Sequence, residues 1–173
     1  YDLIITGSSW NKERLEACGL KHVVTVFQGI DDTLFHAENE AIGYPGRFVI
    51  FSGGKLEYRK AQDVVIAAFR EFQRTNEDAL LLCAWANQWP RIVPTIARSP
   101  HVVGAPEIRS DGSLDISTWL LANGLPHGSF VDLGMPANRD VSAFLAASSA
   151  AIFPNRCEPG TNLFAMEAMA SGL

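Results

Sequence analysis

The sequence predicts a doubly wound α/β fold on a mainly parallel sheet. Three observations carry this expectation. Strand-like runs alternate with helical patterns along the whole chain. The runs Phe48 to Phe51, Ala79 to Ala84 and Ala150 to Pro154 are continuously apolar or nearly so, as strands covered on both faces are. At 173 residues and 47% hydrophobic, the chain has the material for one compact domain or one and a fragment. A chain of this size buries roughly 70% of its extended surface, and it is too apolar to remain disordered.

Taken in order, Leu3 to Thr6 read as a strand and Gly7-Ser8-Ser9 as a turn. Asn11 to Ala17 read as a short helix stopped at Gly19. Val23 to Phe27 are β-branched and aromatic, a second strand. The polar stretch from His36 to Gly46 reads as a linker. Phe48 to Phe51 form a strand that Ser52-Gly53-Gly54 ends. Lys60 to Arg74 follow with apolar residues at 64, 65, 68, 69 and 72, a helical period. Ala79 to Ala84 are the next strand, and Trp89 to Arg98 a helix that Pro94 breaks or kinks. Residues 99–115 form a loop or excursion. Ile116 to Ala122 read as a helix, Phe130 to Gly134 as a strand, and Asn138 to Ala147 as a helix with Asn138 as N-cap. Ala150 to Pro154 are the last strand and Leu163 to Ala170 the last helix.

Composition excludes several classes. The longest apolar runs, such as VVIAAF, fall far short of the ~20 residues of a membrane span. With 14 basic against 19 acidic residues, a general nucleic-acid binder is not expected. Cys18, Cys83 and Cys157 form no CxxC or Cys/His cluster, so no metal site is expected. An odd, scattered set of cysteines suits a reducing, cytoplasmic setting. His22, His36, His101 and His127 are equally scattered. No basic leader precedes an apolar stretch, so no signal peptide is read. The chain opens directly into a strand and stops after a helix where a further strand would follow, so a piece of a longer protein is expected.

In such sheets ligands bind at the C-terminal strand ends, and two segments lie there. Ser52-Gly53-Gly54-Lys55, continuing to Lys60, takes a strand through two glycines toward a helix. Glycine lets backbone N–H groups approach a ligand closely, and a helix start favours anions. Lys55 and Lys60 at one strand end suit a diphosphate, although the spacing is neither GxxxxGK[ST] nor GxGxxG. An ordinary βα turn with solvated lysines is the other reading. The second segment runs from Pro154 through Glu158 to Ala170. Its helix starts near Thr161 or Asn162, and Glu167 lies among Leu, Phe, Ala and Met. A carboxylate there is costly to bury without hydrogen-bond donors, which sugar or ribose hydroxyls supply; a helix-surface glutamate is the alternative. Trp85 and Trp89 flank a strand end, where they read as core or rim aromatics or as rings that stack on a base.

Together these segments resemble the donor-binding domain of the retaining GT-B glycosyltransferases of family four. Val26-Phe27-Gln28-Gly29-Ile30-Asp31 with Phe35 resembles the interdomain NGID…F stretch. Gly54 to Ala61 resembles GRLxxxKG, with Lys55 in the arginine place and Ala61 in the second glycine place. Phe130 to Gly134 resembles the strand before the next helix, and Glu158 to Gly172 the E…EAMAsG signature. Here eight residues separate the two glutamates where the family has seven, which predicts a displaced Glu158 with Gly160-Thr161-Asn162 taking up the extra residue.

The resemblance implies a Rossmann-like GT-B half-domain. Residues 1–21 would be the tail of an acceptor domain, 22–46 an interdomain strand and linker, and 47–173 a truncated donor domain. It implies transfer, with retention, from a UDP- or GDP-sugar to a sugar or lipid-linked acceptor, as in polysaccharide biosynthesis. Lys55 and Lys60 would bind the diphosphate, Glu158 would face the transferred sugar, and Glu167 would hold the ribose. Gly53, Gly54, Gly160, Thr161, Asn162 and Leu163 would line the donor. The family needs no metal or other cofactor, and the fragment alone is expected to be inactive. Peripheral association with the inner face of the membrane fits such acceptors. The rival readings are a non-catalytic nucleotide-binding module, a nucleotide-sugar epimerase of the same fold, and an interaction domain without a ligand.

Overall fold

The computed structural model describes residues 1–41, 43–158 and 160–173. Ile42 of the expected linker and Pro159 of the Glu158 segment lie outside the described residues. The chain runs β1 (Ile4–Thr6), α1 (Ser9–Ala17), β2 (Val23–Thr25), β3 (Phe48–Lys55), a 3₁₀ turn (Tyr58–Lys60) and α2 (Gln62–Gln73). It continues through β4 (Ala79–Ala86), a 3₁₀ segment (Pro90–Arg98), α3 (Ile116–Ala122), β5 (Phe130–Asp132), α4 (Asn138–Ala146), β6 (Ala150–Ala151) and α5 (Leu163–Ala170). Among the described residues β1 and β2 form a two-stranded parallel sheet, and the main sheet has the order β5-β4-β3-β6, parallel throughout.

The apolar runs explain the layering. Along β4, Leu80, Leu82 and Ala84 join Val49 and Phe51 of β3 in one core, under Val141 and Leu145 of α4 and Ala168 of α5. Leu81, Cys83 and Trp85 face the other way, against Val65, Ile66 and Phe69 of α2 and Trp119 and Leu120 of α3. Both faces are thus covered, so β4 has no polar alternation. Burying each large side chain contributes about 1.5–3 kcal/mol. Phe35, just before the linker, is 2% exposed and completes the α4/α5 core.

The strand order sets the functional geometry. The chain leaves β3 on one side toward β4 and later returns on the other to lay down β6. The switch point lies between the C-terminal ends of β3 and β6, where a doubly wound sheet leaves a crevice.

Several local expectations are corrected. The glycines do not end β3, which continues to Lys55 because Gly54 pairs with Trp85 and Lys55 with Ala86. Lys60 does not open α2. It closes a 3₁₀ turn, and Ala61 then adopts φ 62 and ψ 33 before the helix starts at Gln62. This left-handed conformation costs a non-glycine residue about 1–2 kcal/mol. Residues 90–98 form 3₁₀ rather than α structure around Pro94, which lacks the N–H a helix interior needs. Asn138 is the first residue of α4, and Ala137 takes the cap position. Ser8 caps α1 by accepting from Asn11 N–H, so that helix begins earlier, at Ser9. β2, β5 and β6 are shorter than their apolar runs. Within 99–115, Ile108 and Leu114 form one antiparallel bridge.

Candidate functional site

The loops after β3 and β6 meet at the switch point and wall a cleft of about 580 Å³. Gly54, Lys55 and Lys60 line it from the first loop. Glu158, Gly160, Thr161, Asn162 and Leu163 line it from the second. Gly7 and Gln28 close it from the N-terminal segment, where Thr161 Oγ1 donates to Gln28 Oε1 at 2.8 Å. The cleft continues past Lys55 and Phe164 into a narrow space of about 150 Å³. Beyond Ala86, Gln88 and Gly134 this opens into a larger hollow of about 720 Å³ at the ends of β4 and β5.

Electrostatics divide the cations. Lys60 Nζ donates to Glu158 Oε2 at 2.5 Å, and its side chain is only 13% exposed. Lys55 Nζ instead lies 4.1 Å from the centre of the Trp89 ring, a cation–π contact. Trp89 is accordingly a rim aromatic, exposed, while Trp85 is core and donates from Nε1 to Ser52 Oγ at 3.2 Å. The two lysines stand on one cleft but are not paired to one anion in this structure.

Gly53 and Glu167 do not line the cleft. A Cβ on Gly53 would lie 2.9 Å from Cδ1 and Cε1 of Phe164 and from Cε1 of Phe51. The glycine therefore admits the Phe164 ring at the start of α5. Glu167 lies one turn into that helix and is 8% exposed. No donor among the described residues bonds its carboxylate, and burial pushes its pKa above the ordinary glutamate value. α5 itself opens at Asn162 without a side-chain cap, so the N–H groups of its first turn have no intrahelical partner.

Contacts behind the cleft fix the two loops to each other, and spacing along the sequence gives no sign of them. Arg156 grips Asp63 with two bonds of 2.7 and 2.6 Å, although 93 residues separate them. Arg156 also stacks on Tyr58, 4.0 Å from the ring centre, and donates to Tyr58 O at 2.7 Å. Asp63 has no exposed side-chain surface and accepts a further bond from Ser99 Oγ. Burial raises the Asp63 pKa, but the hydrogen bonds from Arg156 and Ser99 outweigh it and hold the carboxyl below its ordinary value. Arg59, adjacent to the predicted Lys60, also lines the cleft and pairs with Glu57 at 2.6 Å; its place in a basic pair was the one available signal.

Among the described residues no cluster of three or more His, Cys, Asp or Glu could hold a metal ion. No described helix is long and apolar enough to cross a membrane. Cys18 and Cys157 are exposed free thiols and Cys83 is buried.

No family model matches the sequence, and no curated protein matches it. Solved structures do resemble the fold. A sucrose-phosphate synthase from Thermosynechococcus elongatus aligns with 99% of this chain at 19% identity and TM-score 0.71, over 39% of its own length. Anabaena HepE in complex with UDP aligns with 99% at 14% identity and TM-score 0.67, over 43% of its length. The pneumococcal O-GlcNAc transferase GtfA, in complex with UDP and GlcNAc, aligns with 99% at 17% identity and TM-score 0.62, over 29% of its length. The chain thus spans less than half of each of these structures. What the likeness shows is the fold, an α/β unit matching one Rossmann-like half of the GT-B architecture.

Proposed function

We propose that this chain is the nucleotide-sugar donor-binding part of a retaining glycosyltransferase, with residues 47–173 holding the donor. Residues 1–21 belong in this reading to an acceptor domain, and 22–46 join the two. The observation that carries the reading is the meeting of Lys55, Lys60 and the open first turn of α5 at the sheet's switch point. Fixed cations and the first-turn N–H groups of a helix suit an anion, and a carboxylate one turn away that accepts from no donor among the described residues suits a polyol. The UDP in HepE and in GtfA is consistent with this chemistry.

In this reading Lys55 and Lys60 bind the donor diphosphate and Glu167 accepts from ribose hydroxyls. During transfer the bond between the sugar's anomeric carbon and the phosphate oxygen breaks. The leaving nucleoside diphosphate takes the electron pair, and an acceptor hydroxyl oxygen makes the new bond on the same face while its proton passes to the departing phosphate oxygen. Negative charge grows on the phosphate as it leaves, and cations already in place stabilise it without reorganisation. Glu158 would lie near the transferred sugar. The reaction needs no metal in this proposal. The acceptor, a sugar or lipid-linked sugar, is held elsewhere, so this chain alone binds donor and transfers poorly. Peripheral membrane association belongs to the same proposal.

Amide shift mapping of the isotope-labelled chain with UDP and GDP tests the placement. The expected perturbations cluster in 53–61 and 160–167. Shifts confined to other surfaces, or none at millimolar nucleotide, would overturn it.

A further inference from the structure

Glu158 lines the cleft, but its carboxylate is already engaged by protein donors. Its Oε2 accepts from Lys60 Nζ at 2.5 Å and from Asn155 Nδ2 at 2.8 Å. Its Oε1 lies 3.4 Å from Arg59 Nη1. Three donors from two loops therefore converge on one anionic group. Those donors are held by other contacts as well. Arg156 N–H donates to Arg59 O at 2.9 Å, and Arg59 Nη1 donates to Cys157 O at 2.9 Å. The Arg156–Asp63 pair anchors both loops to the first turn of α2. Removing the carboxylate would leave an ammonium, a guanidinium and an amide aimed at one point. This is a donor set for phosphoryl oxygens, which form the same charge-assisted bonds as a carboxylate.

We propose that Arg59, Lys60 and Asn155 form a single anion cradle, filled by the Glu158 carboxylate in the free protein, and that a phosphoryl group of a diphosphate ligand takes its place by exchange. The proposal rests on reading the cleft as a diphosphate donor site. It adds Arg59 and Asn155 to the phosphate-binding groups and makes Glu158 the competitor of the ligand. Binding then trades one set of charge-assisted bonds for another, so the net gain is smaller than the contacts alone would give. Neutralising Glu158 removes the competition.

The test is calorimetric titration of the 173-residue chain with inorganic pyrophosphate and, in parallel, with UDP. The variants are Glu158→Gln, Glu158→Ala, Asn155→Ala and the Glu158→Gln/Asn155→Ala double, each checked for folding by thermal melting. Both Glu158 variants should bind pyrophosphate at least about tenfold more tightly than wild type, the scale of one charge-assisted bond. Asn155→Ala should change affinity by less than about threefold in the wild type, since the cradle loses a donor to both occupants, and weaken it by about tenfold in the Glu158→Gln background. Unchanged or weaker pyrophosphate binding in both Glu158 variants overturns the cradle. If UDP still binds the wild type in that case, the donor-site reading stands without it. If the pyrophosphate pattern holds but UDP binds no better than pyrophosphate, the cradle stands and the nucleotide reading falls.

Discussion

Replacing Gly53 by alanine adds one methyl group where two rings already meet. The new Cβ would sit 2.9 Å from three ring carbons, two of Phe164 and one of Phe51. The rings are packed at 5.9 Å between centres, and Phe153 lies 6.4 Å from Phe51 and 6.5 Å from Phe164. Phe164 borders the cleft, so relief of the overlap requires its ring to shift toward that space and away from Phe51 and Phe153. The φ of Gly53 is not in the left-handed region, so the cost is steric and not conformational. Overpacking of this kind costs about 1–3 kcal/mol. A domain of this size loses about 2–4 °C per kcal/mol, so melting should fall by roughly 2–12 °C. Thermal unfolding of Gly53→Ala, Phe164→Ala and the double variant measures it. In the Phe164→Ala background the glycine substitution should cost less, though not nothing, because the Phe51 contact remains. A melting shift under about 1 °C for Gly53→Ala, or a penalty unchanged by Phe164→Ala, would refute the packing role and return Gly53 to ligand contact.

Two carboxylates give opposite pH dependences. Glu167 has a folded pKa raised by burial, so its contribution is fully favourable below the unfolded glutamate range and is lost as pH rises through the folded value. Glu167→Gln should therefore be more stable than wild type at neutral pH, with the advantage vanishing near pH 4 and below in melts across pH, while UDP affinity falls. Asp63 is the reverse case, since Arg156 and Ser99 hold its pKa down. Its stabilisation is present at neutral pH and lost as pH falls through the lowered folded value. Asp63→Asn should cost about 3–5 kcal/mol at neutral pH, the scale for a broken buried pair, in denaturant unfolding, and progressively less as pH falls below the ordinary aspartate range. A destabilisation that stays constant however far the pH is lowered would contradict the pairing as its cause.

Much of the architecture was legible because local pattern and burial agree. Ile116–Ala122 and Leu163–Ala170 fall where the residues predict them, and the apolar run of β4 marks a strand covered on both faces. What escaped depends on partners distant in sequence. No local signal pairs Arg156 with Asp63. Nothing in Glu57 to Gln62 reveals that Ala61 turns left-handed and delays α2, except glycine at that place in the resembled family. The loops that meet at the switch point were legible as strand–turn–helix segments, and their candidate residues do share a cleft apart from Gly53 and Glu167. Their internal pairing was not, because Lys60 and Glu158 are brought together only by the parallel alignment of β3 with β6.

The central claim is that the cleft binds a nucleoside diphosphate through Lys60. Calorimetric titration with UDP, GDP and the matching monophosphates, on Glu158→Gln and the Glu158→Gln/Lys60→Ala double variant, tests it most directly. One diphosphate should bind more tightly than its monophosphate, and in the Glu158→Gln background, where no carboxylate competes for the ammonium, Lys60→Ala should weaken it by about 10- to 150-fold, the loss of one charge-assisted contact. Equal binding of mono- and diphosphates, or affinity untouched by Lys60→Ala, would contradict the account.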